Sequence, residues 1–572
     1  MYKNRSLIFL LALSLFLPAY LSAQATFTDV TDRAGVGDTN FGVGVGWGDL
    51  DRDGLIDLYL VNLGQGNVLY LNRGDGTFED VTGQAGVGDS GDGVGCGWGD
   101  YDNDDLLDLF MSNRPGFNRL YHNNGDTSFT DKAPDFGMDD PYGLGESVAW
   151  GDYDNDGYID LYVVNMMQAN TLYRNLEGEG FDNVTVYAGV GNSGTGEATA
   201  WCDYDDDGDQ DLYLANASGY NVLYRNNGEG TFTDYTDSAG IMDPGNSYGC
   251  GWGDYNNDGD FDLYVGRNGS NKLYRNIGDG TFEDATFEAG VGHPGFTLGV
   301  SWADYDNDGW LDLHLADHQG DDLLYRNLGD GTFEDVTDSA GVHNFFNGRG
   351  NIWGDYNGDG FLDLYVSNHD GARNVLFENN GNDNHFLHLG PVGVESNKDG
   401  IGSKVVCVSG DLRMTRQVEG GSGFASQNSL PVEFGLAENV SVDSLYVYWP
   451  SGKIDTLTEV GADQFLEVIE GGEVGVDWSP QGMLPRDFAL YQNYPNPFNS
   501  STVISYLLPA PGDVSLKIYN LYGQEVKTLL SSHQDRGVHI LIWRPQGISS
   551  GIYICRLQSG PHCCLKKLSY IR

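Results

Sequence analysis

The chain has 572 residues, 40 % of them hydrophobic, with 83 glycines, 34 tyrosines and a formal net charge of −54. That length exceeds one hydrophobic core, and the glycine and aromatic content suits short strands and tight turns rather than long helices. So acidic a surface repels nucleic acid and anionic membrane, which excludes both as partners, and 12 % aromatic residues argue against a disordered acidic chain.

At the N-terminus, Lys3 and Arg5 precede an apolar run from Leu7 to Leu17, and Ala23-Gln24-Ala25 offers a small-residue cleavage site. This predicts a secretory signal peptide over residues 1–25. The run is too short to span a bilayer, and no later segment is long and apolar enough to do so. The mature chain is therefore expected to be soluble outside the cytoplasm. The seven cysteines are an odd count without a disulfide spacing. Cys96, Cys202 and Cys250 lie near equivalent repeat positions and read as small buried residues, and the adjacent Cys563 and Cys564 do not read as a catalytic pair.

Seven times a tryptophan precedes an acidic loop by two residues, at Trp47, Trp98, Trp150, Trp201, Trp252, Trp302 and Trp353. The loops begin at Asp49, Asp100, Asp152, Asp203, Asp254, Asp304 and Asp355, a period of about 51 residues. Each unit carries four strand-like runs, in the first Gly42–Trp47, Asp57–Val61, Asn67–Leu71 and Thr77–Thr82. Four antiparallel strands in such a unit match one propeller blade, and a closed ring leaves no sheet edge exposed. The fold class expected for residues 26–383 is all-β, a seven-bladed β-propeller. The run Thr26–Thr31 is a fourth-strand sequence with no unit before it, and the seventh unit stops after its third run, Asn374–Asn379. The first run should therefore complete the last blade. The tryptophans read as packing between blades.

Each loop but one reads Asp-X-Asp/Asn-X-Asp-Gly-X-X-Asp. Oxygen ligands at positions 1, 3, 5 and 9 of a tight loop can converge on one hard cation, with glycine at position 6 permitting the turn. No histidine or cysteine recurs there, which argues against zinc or copper. An EF-hand is rejected, because position 12 is apolar throughout: Leu60, Met111, Val163, Leu214, Val265, Leu315 and Val366. The pattern resembles the calcium loops of FG-GAP and related (VCBS-type) propeller repeats. The resemblance implies about seven Ca2+ ions, one per blade, held as follows. The first loop supplies Asp49, Asp51, Asp53 and Asp57, and the second Asp100, Asp102, Asp104 and Asp108, with Asp105 in place of the turn glycine. The third supplies Asp152, Asp154, Asp156 and Asp160, and the fourth Asp203, Asp205, Asp207 and Asp211. The fifth supplies Asp254, Asn256, Asp258 and Asp262, the sixth Asp304, Asp306, Asp308 and Asp312, and the seventh Asp355, Asn357, Asp359 and Asp363. The two loops with an amide at position 3 should bind more weakly.

Composition shifts near Asn384, and the runs His385–Leu389, Ser403–Val408, Ser444–Trp449 and Gln464–Ile469 predict a small β domain over 384–470. The stretches Ser396–Gly402, Glu419–Phe424, Ser426–Asn428 and Trp449–Gly452 resemble the ASPIC/UnbV module that follows such repeats in cartilage acidic protein-like chains. Asp399, Glu419 and Gln427 could form a polar site there, against the plainer reading of turn and strand-end roles. Residues 471–487 read as a linker. Residues 488–572 carry Tyr491-Gln-Asn-Tyr-Pro-Asn-Pro-Phe-Asn499 and strand runs at Ser501–Leu507, Val514–Tyr519, Ile540–Trp543 and Gly551–Arg556, with Lys566-Lys567 near the end. They resemble the C-terminal sorting domain of the type IX secretion system, an immunoglobulin-like sandwich. That implies the secretion machinery as partner and release from, or display on, the surface of a Gram-negative bacterium.

The expected function is a calcium-binding module for glycan or protein ligands, without catalysis. Tyr142, Tyr220, Tyr248 and Phe346, in variable segments between strands, are candidate ligand contacts. The alternatives are a polysaccharide lyase or hydrolase, and a structural surface component. No Gly-X-Ser-X-Gly elbow, His-Glu-X-X-His motif or phosphate loop supports an enzyme, and His314, His318 and His343 follow no repeat pattern.

Overall fold

A computed structural model describes residues 25–474, 489–490, 498, 502–508, 512–522, 524–534, 537–545, 548–560 and 562–571. The expected signal peptide, apart from Ala25, lies outside the described residues. So do most of the linker and the Tyr491–Asn499 run except Phe498.

Among the described residues, 27–379 form seven four-stranded antiparallel sheets arranged as in a propeller. The first comprises Gly42–Gly48, Asp57–Asn62, Val68–Asn72 and Phe78–Asp80, hydrogen-bonded in that order. The fourth strand is shorter than the Thr77–Thr82 run suggests. The Asp80 carboxylate accepts the Thr82 backbone N–H at 3.0 Å, which turns the chain out of the sheet. A single helical turn, Thr82–Ala85, follows and ends on Gly86 in the left-handed conformation. The same turn closes every unit, as at Thr236–Ala239 and Thr337–Ala340. The last sheet is completed from the other end of the chain: Phe27–Asp29 pairs with Val375–Asn379, Phe27 opposite Asn379 and Asp29 opposite Phe377.

The first strand of each sheet packs beside the first strand of the next, and Gly348–Gly354 packs beside Gly42–Gly48, so the cycle is closed. Glycine three residues before each tryptophan permits this approach in most units. A Cβ on Gly44 would lie 2.3 Å from the Val94 carbonyl oxygen and 2.4 Å from that of Ala425; one on Gly350 would lie 2.7 Å from the Val43 carbonyl oxygen. These obstacles are backbone and cannot rotate away. Gly44→Ala should therefore cost about 1–3 kcal/mol, measured as a lower urea midpoint at unchanged m-value. The tryptophans act between units as expected. Trp150 is fully buried and its indole N–H donates to the Gly97 carbonyl of the preceding unit at 3.0 Å; Trp201 and Trp302 repeat the bond at 3.2 Å.

Residues 385–474 form two further four-stranded sheets, adding strands Leu412–Gln417, Val432–Ala437, Ile454–Gly461 and Glu473–Val474 to the four expected runs. This module sits on the propeller-like body rather than following it as a separate bead. Its core is continuous with that between the second and third units, where Leu387, Val405 and Phe434 share one cluster with Tyr101, Trp150 and Ile159. A segment between two of its strands enters the axis of the cycle. Gly420 accepts the Trp150 N–H at 2.9 Å, Gly423 exchanges both backbone bonds with Cys250, and the Gln427 N–H donates to Val45 at 3.0 Å. The Ser429 N–H donates to Trp353 at 3.2 Å.

The C-terminal described segments form two layers sharing one core that includes Ile504, Tyr506, Trp543, Leu516 and Ile518. The six cysteines whose side chains are described are free, and no helix among the described residues is long and apolar enough to cross a membrane.

Candidate metal centres in the repeat loops

Each acidic loop joins the first strand of a unit to its second, and its local geometry follows from the aspartates. The first-position carboxylate accepts the backbone N–H of positions 5 and 6. In the first loop these are Asp53 to Asp49 Oδ1 at 3.1 Å and Gly54 to Asp49 Oδ2 at 2.9 Å. The fifth-position carboxylate accepts position 7, Leu55 to Asp53 Oδ1 at 2.9 Å, and the ninth accepts position 2, Leu50 to Asp57 Oδ2 at 3.0 Å. Position 4 is left-handed in every loop, from Arg52 (φ 59°) to Gly358 (φ 68°). So is position 6, including Asp105 at φ 73°, where the missing glycine had put the turn in question. The turn forms; Asp105 faces Lys398 at 3.3 Å and Arg52 at 3.6 Å, and its N–H donates to Asp100 Oδ2 at 2.7 Å.

In four of the loops three of the expected residues come together. Carboxylate oxygens of Asp49, Asp51 and Asp53 lie within 4.8 Å of one another. So do those of Asp100, Asp102 and Asp108, of Asp152, Asp154 and Asp160, and of Asp203, Asp205 and Asp211. Asn256 and Asn357 each accept the N–H of the position-5 aspartate at 3.0 Å. Burial, reinforced by neighbouring carboxylates, pushes Asp49, Asp152, Asp203, Asp254 and Asp304 up to about 7. Burial together with Asp399 and Asp108 pushes Asp100 up to about 9. The ninth-position carboxyls Asp57, Asp160, Asp211, Asp262, Asp312 and Asp363 are driven well above the usual range, also chiefly by burial. At position 3, Oδ1 of Asp102, Asp154, Asp205 and Asp306 is buried without a hydrogen-bond partner. A buried carboxylate oxygen with no donor is costly, and a hard divalent cation would supply what it lacks. The residues present therefore fit a metal ion.

Two partners of these loops escaped the sequence reading. One is cationic: Arg174 Nε lies 2.7 Å from Asp154, Arg326 Nε 2.9 Å from Asp306, and His122 Nδ1 3.2 Å from Asp108. The hydrogen bond to Asp108 raises the His122 pKa. The other is the asparagine ending each third strand. Its N–H donates to the ninth-position carboxylate, as Asn72 does to Asp57 at 2.8 Å and Asn175 to Asp160 at 2.7 Å. Its Nδ2 donates at 2.8 Å to the position-2 carbonyl of the preceding unit's loop: Asn123 to Leu50, Asn175 to Tyr101, and Asn72 back to Tyr356. The recurrence of Leu-Tyr-X-Asn was the available signal.

The 385–474 module covers this loop face. Asp399 Oδ2 accepts the Asp100 N–H at 2.7 Å, Asp304 Oδ2 accepts the Gly435 N–H at 3.1 Å, and Lys404 pairs with Asp206. The three polar candidates of that module do not converge. Asp399 and Gln427 join it to the repeats, Gln427 Nε2 donating to the Trp98 carbonyl at 3.0 Å. Glu419 accepts from Ser422 Oγ at 2.8 Å, and burial pushes it up to about 7. Of the aromatic candidates, Tyr142, Tyr220 and Phe346 are exposed, whereas Tyr248 is half-buried against Phe296 with ring centroids 4.7 Å apart.

Comparison with known proteins agrees with this geometry. A model described as FG-GAP-like repeat matches six times, at 49–111, 105–163, 152–214, 203–265, 254–315 and 304–366. ASPIC and UnbV matches 393–474, and Secretion system C-terminal sorting domain matches 492–570. Human cartilage acidic protein 1 is 32 % identical over 200 residues, 33 % of this chain and 30 % of that protein; the mouse protein is 30 % identical over 164 residues, 27 % and 25 % of the two chains. The matched stretches thus span under a third of these relatives. Among solved structures, the BP39L lectin from Burkholderia pseudomallei aligns at 11 % identity and TM-score 0.44, over 60 % of this chain and 96 % of that one. The repeat matches run without a gap from the first acidic loop to the second strand of the last unit, more than half of the chain, and the chain belongs to the FG-GAP-like repeat family.

Proposed function

We infer that the seven sheets form a seven-bladed propeller, that its loops bind calcium for structural ends, and that the exported protein is a non-catalytic binding module for an extracellular glycan or protein. The sorting-domain match implies export, and we assign the type IX route and a Bacteroidota-type bacterium as source. One observation carries the binding reading. The loop face is covered by the ASPIC/UnbV module. The connections between second and third strands, and between successive units, end at the opposite edge of every sheet. There Tyr142, Tyr220, Phe117 and Phe345 are at least half exposed, and Phe346 nearly so. Exposed aromatics on loops over a rigid scaffold suit stacking on a sugar or packing on a protein.

A glycan array read beside a depolymerisation assay tests this, with calcium present throughout. The expected result is saturable binding without turnover, weakened at least ten-fold by combining Tyr142→Ala, Tyr220→Ala and Phe346→Ala. Turnover would replace this reading with the enzymatic one. Neither binding nor turnover would leave a structural component.

A further inference from the structure

One register position lines the axis of the propeller, four residues before each tryptophan. It holds Val43, Val94, Glu146, Glu197, Tyr248, Leu298 and Arg349 in unit order. In units one, two and six the residue is apolar, and Val43, Val94 and Leu298 pack on Phe424 and Ala425 of the inserted segment, with Tyr248 and Phe296 against the same cluster. That contact caps the axis on the module's side.

The other units line the axis with charge. Glu146 and Glu197 stand on adjacent units three and four; Arg349 stands on unit seven, across the cycle. Arg114 pairs with one oxygen of Glu146, whose other oxygen, Oε2, is buried without a partner. Glu197 is buried, and no hydrogen bond satisfies it; its nearest charges are Glu146, Arg114 and Arg349. Arg349 Nε is likewise buried and unpartnered. His318 and His369 stand beside Arg349, their ring centroids 6.3 Å apart, with Phe41 stacked on His369 at 5.1 Å and Phe296 edge-on to His318 at 5.3 Å. Burial holds the carboxyls of Glu146 and Glu197 up at about 7 and 8 and the Arg349 guanidinium down at about 10. Both signs of charge thus bear a desolvation cost that the protein's own hydrogen bonds do not offset. An internal ion network would have closed these bonds among its own members.

We propose that this axial cluster binds a compact zwitterion of the amino-acid type, its ammonium toward Glu146 and Glu197 and its carboxylate toward Arg349 and the two imidazoles. The two carboxylates and two guanidiniums cancel in total; Arg114 pairs with Glu146, while Glu197 on unit four and Arg349 on unit seven face each other across the axis without a hydrogen bond between them, which favours a ligand that is neutral overall and charged at both ends. The aromatic walls supply contact for a short methylene spacer. The site is distinct from the rim, since Tyr142, Tyr220 and Phe346 take no part in it.

The test uses the full chain with saturating calcium. Calorimetric titration and thermal shift are measured with glycine, β-alanine and 4-aminobutyrate, and with methylammonium and acetate at matched ionic strength. At least one zwitterion should bind saturably and raise the melting temperature, while the singly charged ions do not. Glu197→Gln and Arg349→Gln should each weaken that binding ten-fold or more, and Phe346→Ala should leave it unchanged. Binding no stronger than that of methylammonium or acetate, or binding that survives both substitutions, overturns the proposal. Should either variant fail to fold, the comparison of ligands on the unaltered protein still decides. Glycan binding retained in Glu197→Gln separates this site from the rim.

Discussion

Chelating divalent cations should lower the melting temperature of the full chain by about 10 °C or more, and calcium should restore it. A site held at ten times its dissociation constant adds roughly 1.4 kcal/mol to the folded state, and seven sites sum to about 10 kcal/mol. The effect must also depend on pH, with a sign that the buried aspartates set. Asp49, Asp152, Asp203, Asp254 and Asp304 are raised to about 7 in the folded chain, against about 3.9 for an unfolded aspartate. Without metal, their contribution to stability is complete below about pH 4 and is lost as the pH rises through about 7. The metal-free protein should therefore weaken between pH 5 and pH 8. On the proposed reading calcium binds the ionised loops in competition with those protons, so the melting increment it gives should grow over the same interval. Asp205→Asn separates the two contributions: it removes one like charge whose Oδ1 lacks a donor, so it should raise the metal-free melting point and lower the calcium-saturated one. A calcium increment that is absent, or flat from pH 5 to 8, would contradict the assignment of these loops.

Gly420→Val should uncouple the ASPIC/UnbV module from the propeller. A Cβ at residue 420 would lie 2.2 Å from the Trp150 carbonyl oxygen, with no room to move because that oxygen belongs to an inner strand. The bonds from Gly423 to Cys250, from Gln427 to Val45 and from Ser429 to Trp353 depend on the same insertion. The expected outcome is two melting transitions in place of one, with protease cleavage appearing between residues 380 and 400. Gln427→Ala is the milder counterpart. It leaves the buried backbone N–H and carbonyl of Trp98 unpaired, at roughly 1–3 kcal/mol each, and should lower stability without dividing the transition. A single unshifted transition in Gly420→Val would mean that the inserted segment does not hold the two parts together.

The repeat was legible because its marks are strictly periodic. The tryptophans and the first aspartates recur every 50–52 residues, and each sits where packing or loop geometry tolerates little else. Closure by Phe27–Asp29 was legible too, because a fourth-strand sequence stood at one end and a missing fourth strand at the other. What was not legible depends on pairs far apart in the chain. Gln427 meets Trp98, and Asp399 meets Asp100, across some 300 residues, and no local pattern announces either contact. The axial position was hidden for another reason. Val43, Glu146 and Arg349 share a register but not a chemistry, so a search for recurring residues passes over them. Tyr248 was read as a ligand contact in a segment between strands for the same reason, whereas it lies within the strand Ser247–Gly253.

The pairing of Phe27–Asp29 with Val375–Asn379 also sets the order in which the molecule can be assembled. A chain that emerges N-terminus first holds a lone edge strand for some 350 residues before its partner exists, and until then the sevenfold stack is an open spiral. Loop closure over that span is slow compared with local hairpin formation. The acidic hairpins can form one by one as they emerge, but the clasp waits for the last unit. The ring therefore closes only after the strand that ends at residue 379 has been delivered.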